Sequence, residues 1–139
     1  MNIKLRNTLG EIISAAIAII WVYSKLDAAA NMSIVLISQV LVQGIGISIL
    51  ASILFAIVMS IFSSIITGSY EKNIVDERDT MIELYAMRLS SVIFGISLVI
   101  ILALLGWFNL HINFGIIAIT LAGFFASIAS NFLKIYFYK

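Results

Sequence analysis

Residues 89–108 read LSSVIFGISLVIILALLGWF, twenty positions without a charge, closing on Trp107 and Phe108. A helix needs about 20 predominantly apolar residues to cross the hydrocarbon of a bilayer. In lipid the backbone must satisfy its own hydrogen bonds, so a run of this kind is read as a spanning helix. Working outward, residues 112–133 form a second such run and residues 9–24 a third. Between the first and third of these lies a longer stretch, 28–70, that carries no charge at all.

That stretch does not fit one crossing. Its core, 33–67, would extend roughly 50 Å as a helix, against a hydrocarbon core of about 30 Å. It is also too short for two crossings and a turn. The reading adopted is an outer interfacial piece, 28–43, leading through Gly44 and Gly46 into a membrane helix, 44–67. Asn31, Ser38, Gln39 and Gln43 fall in the outer piece, where polar side chains reach headgroups or water. The alternative is one long helix, its excess length absorbed by tilt.

Composition agrees with a membrane. The chain has 139 residues, 63% hydrophobic and 11% charged, whereas a soluble domain is nearer half apolar and a quarter charged. The absence of cysteine excludes disulfides and thiolate metal sites. With no proline, any kink must come from glycine or inserted polar groups. A net charge of +1 without a basic cluster gives no reason to expect nucleic acid as a partner. Lys4 and Arg6 ahead of residues 12–24, with Ala28-Ala29-Ala30 beyond, imitate a signal peptide. Glu11 and Lys25 flank the run closely, which favours a retained helix.

Orientation follows from the basic residues. With the N-terminus inside, Lys4, Arg6, Lys72, Arg78, Arg88, Lys134 and Lys139 are cytoplasmic and Lys25 alone is outside. Trp21, Tyr23, Trp107 and Phe108 then mark the outer interface, and Tyr70, Tyr85, Tyr136 and Tyr138 the inner one. The expected architecture is therefore a single all-α domain. It is an integral membrane four-helix bundle with both termini and the loop 69–88 in the cytoplasm.

The second helix carries the most regular pattern: Gly44, Ser48, Ser52, Ala56, Ser60, Ser64 and Gly68 recur every four residues. Small side chains let another helix backbone approach closely, and serine hydroxyls add hydrogen bonds. The face is expected to pack helices, within the chain or between copies, or else to line a polar path. The fourth helix has a shorter counterpart in Ala118, Ala122, Ala126 and Ser130, beside Gly123, Ser127 and Asn131. An ion path normally shows an ionisable group at mid-membrane, and none of the four runs contains one there.

The loop 69–88 holds eight of the fifteen charges. Asp76 suits a helix N-cap, with acids in the first turn where the helix dipole favours them. Met81, Ile82, Tyr85 and Leu89 then recur at helical spacing, so the third helix is expected to begin near Glu77. The tetrad Asp76-Glu77-Arg78-Asp79, followed by Ile82, Glu83, Ala86 and Ser90, resembles the DERD/DERE signature of small prokaryotic four-helix membrane proteins of unassigned activity. The resemblance implies a plasma-membrane (inner-membrane) protein, regulatory in character, and supplies no catalytic residues. The tetrad with Glu83 is a solvated helix start or a docking surface for a cytosolic partner. One helix supplies too few oxygens to hold a metal.

Glu11 and Arg88 share the inner headgroup depth, which motivates an ion pair between them. His111 is the only histidine and reads as a loop residue, outside, away from the serines. No catalytic, cofactor or metal constellation is expected. The expected function is a non-enzymatic, homo-oligomeric regulatory or accessory subunit; the alternative is a small oligomeric channel or transporter lined by the second helix. The orientation predicts that alkaline phosphatase fused after Lys139 stays inactive in bacterial cells and becomes active when inserted at His111. Activity at the C-terminal fusion would reverse the topology.

Overall fold

The computed structural model describes residues 3–26, 32–67, 76–108 and 111–138, and these form four α-helices. They are α1 (Ile3–Lys25), α2 (Ile34–Thr67), α3 (Glu77–Trp107) and α4 (Ile112–Tyr138). Each is long and apolar enough to cross a membrane. Gly68, Asn31 and residues 69–75 lie outside the described residues.

The second segment departs from the expected interfacial piece. α2 is a single helix of 34 residues that passes Gly44 and Gly46 unbroken, about 51 Å in length. Its first turns are packed within the chain. Ile37 and Leu41 are buried with Val22 of α1, and Trp21, Leu26, Met32, Ile116 and Ile117 close around them. Ile37, Leu41 and Gly44 follow the i, i+4, i+7 spacing of one helix face. Ser38, Gln39 and Gln43 are exposed. A helix with one face already committed to α1 and α4 has no reason to bend away at Gly44.

Glycine notches set the register of the α1–α2 pair. A Cβ on Gly44 would run into the Val22 side chain, and one on Gly10 into the Phe55 ring, whose Cε1 lies 2.8 Å away. Each helix thus offers a glycine to a large side chain of the other, at opposite ends of the contact. In lipid no hydrophobic force drives helices together, so close approach of this kind is what holds them. α1 continues the theme with Gly10, Ser14, Ala18 and Val22, all buried and four residues apart. Gly115 of α4 receives Leu105 of α3 in the same way, with Cδ2 at 2.9 Å.

The four helices do not close into a ring. α3 packs chiefly on α4, and α1 on α2 and α4; α4 also reaches α2, while α3 has no comparable packing on α1 or α2. The result is a curled layer in the order α2, α1, α4, α3, with α1 and α4 central. Outward positions are large and apolar, among them Ile20, Val35, Leu54, Val99 and Phe125. In the most apolar window of α2, 0% of the residues are buried within the chain, so hydrocarbon is the solvent that this surface suits.

The notches make opposite predictions for two neighbouring glycines. Gly44→Val should lower resistance to unfolding by about 1–3 kcal/mol, the usual cost of overpacking. Gly46 has no atom within 4 Å of an added Cβ, so Gly46→Ala should raise it by about 0.5–1 kcal/mol. Thermal unfolding in detergent, followed by circular dichroism, checks both.

Candidate functional site

The starts of α1 and α3 and the end of α4 meet at one end of the layer, where charged side chains join them. Asp76 caps α3: its carboxylate accepts the Glu77 N–H at 2.7 Å, and the Asp79 carboxylate accepts the Asp76 N–H at 3.1 Å. Together these form a capping box, which satisfies backbone donors that a helix start leaves open. Asp79 also pairs with Lys4 of α1. Arg78 donates from Nη2 to the Phe137 carbonyl of α4 at 3.0 Å. Three of the four residues of the tetrad are therefore engaged within the chain, joining the starts of α1 and α3 to the end of α4. Glu77 and Glu83 are exposed.

The electrostatics follow the contacts. The Lys4 hydrogen bond, helped by the Asp76 N–H, holds the Asp79 carboxyl below the usual carboxylate range. Burial pushes the Tyr138 phenol up, and the carboxylates of Glu83, Asp79 and Glu11 add to it. Three carboxylates thus act on the last turn of α4.

Glu11 finds its cation on a different helix from the one expected. Its Oε2 lies 3.6 Å from Nζ of Lys134 on α4, and no ion pair joins it to Arg88 among the described residues. The helix order explains this: α1 neighbours α4, not α3. Matched depth along the sequence was not matched position around the layer.

Inward from Glu11 a cavity of about 670 Å³ opens between the helices. Ser14 and Ala15 of α1, Ser48 and Ser52 of α2, Phe94 of α3, and Thr120, Gly123 and Ser127 of α4 are among its walls. Because α2 and α3 do not pack on each other, the cavity opens sideways between them. Ser14 and Thr120 return their hydroxyls to the helix, donating to the Glu11 carbonyl at 3.0 Å and the Ile116 carbonyl at 3.2 Å. Ser48 and Ser52 line the cavity without a hydrogen bond within the described chain.

The seven-residue stripe of α2 is accordingly divided. Each four-residue step turns roughly 40° further round a helix of 3.6 residues per turn. Gly44 is buried against Val22, Ser48 and Ser52 face the cavity, and Ala56 is exposed. Ser60 and Ser64 are half-buried, with the Ser64 hydroxyl donating to the Ser60 carbonyl at 3.0 Å. The matching stripe of α4 turns inward: Ala122, Ala126, Ser130 and Asn131 are buried.

At the other end, Asn113 Nδ2 donates to the Met32 carbonyl at 2.9 Å, tying α4 to the approach to α2. His111 Nδ1 accepts the Asn113 N–H at 3.3 Å, the geometry of a helix cap. No group of three or more His, Asp or Glu that could hold a metal occurs among the described residues. Asn113 was not singled out from sequence; an asparagine at the start of an apolar run is its only signal.

Neither family models, curated proteins nor solved structures match the chain.

The Lys4–Asp79 pair sets a pH dependence. A carboxylate with a depressed folded pKa stabilises above the ordinary carboxylate range, and the effect is lost as pH falls through the folded value. Asp79→Asn should therefore melt earlier than the wild type at neutral pH, with the gap closing as the pH drops below that range. Melting curves across pH check this, and an unchanging gap would remove the pair as its cause.

Proposed function

We propose that this chain is a non-enzymatic subunit of a prokaryotic plasma membrane, with both termini in the cytoplasm, that acts by assembling with other copies of itself. The observation that supports this reading is the unclosed layer. α2 packs along α1 but leaves its other flank open, from Ser48 and Ser52 at the cavity to Ala56, Ser60 and Ser64 beyond it. A second copy's helix would find there the small residues that permit close approach. The role is regulatory or accessory, in keeping with the resemblance carried by Asp76-Glu77-Arg78-Asp79. Exposed Glu77 and Glu83, whose side chains make no ion pair or hydrogen bond among the described residues, are the surface for a cytosolic partner.

The serine-lined cavity favours a second reading, a small oligomeric channel or transporter. Ser48, Ser52, Thr120 and Ser127 would then contribute to a polar path. The aromatic walls at Phe94 and Phe124 count against it, as does the lack of an ionisable group deeper than Glu11.

The natural chain has no cysteine, so single cysteines report without background. Ala56→Cys should form disulfide-linked dimers on oxidation in native membranes, whereas Ala126→Cys, buried at 1% exposure, should not. Ala56→Cys chains that stay monomeric, with a purified particle of one chain, would sink the self-association reading. Labelling of Ser52→Cys by a membrane-impermeant thiol reagent would move the balance to transport.

A further inference from the structure

We infer that α3 and α4 form a site for one anionic glycerophospholipid, its phosphate on Arg88 and an acyl chain in the groove beside it. The groove, about 410 Å³, shares no lining residue with the serine-lined cavity. It is lined by Tyr85, Arg88, Leu89 and Val92 of α3 and by Leu133 and Phe137 of α4. Arg88 stands where the charged first turns of α3 end and the uncharged run 89–108 begins. Leu133 marks the same border on α4, one residue before Lys134. The groove therefore straddles the level at which headgroups give way to hydrocarbon.

Among the described cations at this end, Arg88 stands apart. Lys4 is paired with Asp79 and Lys134 with Glu11. Arg78 is spent on the Phe137 carbonyl, and Arg6 is buried with interactions of its own. Among the described residues, Arg88 has neither an ion pair nor a side-chain hydrogen bond, and it is exposed. An arginine stem lies along apolar surface while its head reaches for a polar level. The planar guanidinium then offers the two parallel donors that suit a phosphate. Exposed Tyr85 and Phe137 line the groove with the Arg88 stem, and Leu89, Val92 and Leu133 complete it as an apolar wall for a chain. Charge complementarity selects an anionic headgroup over a zwitterionic one, whose own ammonium competes for the phosphate.

The proposal requires membrane residence but not self-association, so it stands or falls separately from the assembly reading. Native mass spectrometry of the full chain in detergent tests it, with phosphatidylglycerol and phosphatidylcholine of equal chain length as the probes. The expected result is one phosphatidylglycerol retained per chain ahead of all others, preferred over phosphatidylcholine by about fivefold, the factor that one basic residue near an anionic surface is worth. Arg88→Gln should abolish that preference, while Lys25→Gln, at the opposite end, should leave it intact. Val92→Trp fills the groove at an exposed position, keeps Arg88, and should also lose the first lipid. It serves if Arg88→Gln does not fold. Equal retention of the two lipids, a graded series with no distinct first lipid, or a Val92→Trp chain that binds as before would overturn the site.

Discussion

The α1–α2 contact rests on backbones brought close enough for dispersion to hold them where lipid tails compete on equal terms. Reciprocal notches achieve this: Gly44 takes Val22 while Gly10 takes Phe55. Because the two insertions run in opposite directions, neither helix can slide along the other without lifting a side chain out of its seat. The α3–α4 pair repeats the device at Gly115 and Leu105. Register in this protein is thus set by a few glycines rather than by the large apolar residues that dominate its composition, most of which face outward.

A second constraint acts at the charged end. Arg78 and Lys134 each reach across to a neighbouring helix, and Lys4 reaches from α1 to α3, so α1, α4 and α3 are tied by polar contacts at one end of the layer. The Ile37–Leu41–Val22 cluster and the Asn113–Met32 hydrogen bond close the far end. What lies between is less constrained, and there the cavity opens.

Helix number, approximate bounds and the cap at Asp76 were legible because they depend on local properties: hydropathy, charge and the chemistry of a helix start. The length of α2 was less so, since choosing between an interfacial piece and a continued helix requires knowing that Ile37 and Leu41 have partners on α1 and α4. The stripe from Gly44 to Ser64 was visible as a pattern, but its division among three environments depends on which helix stands where. Glu11 shows the same limit. Depth can be counted along a chain, whereas the angular order of helices is a tertiary fact, and that order brings Lys134 rather than Arg88 to the carboxylate. The small-residue row of α1, Gly10 to Val22, was equally readable but is shorter, and it is interrupted by larger neighbours that masked it.

The central place of α4 has a consequence in time. Of the four helices it is the last in chain order and the one that touches all three others. α1 and α2 can pair as soon as both are inserted, yet α3 lacks its main packing partner until the 27 residues of α4 arrive. In chain order, assembly is then a hairpin followed by a wait for the helix on which α3 chiefly packs. A nascent chain halted before Ile112 should display a protected α1–α2 pair and an unprotected α3 in limited proteolysis.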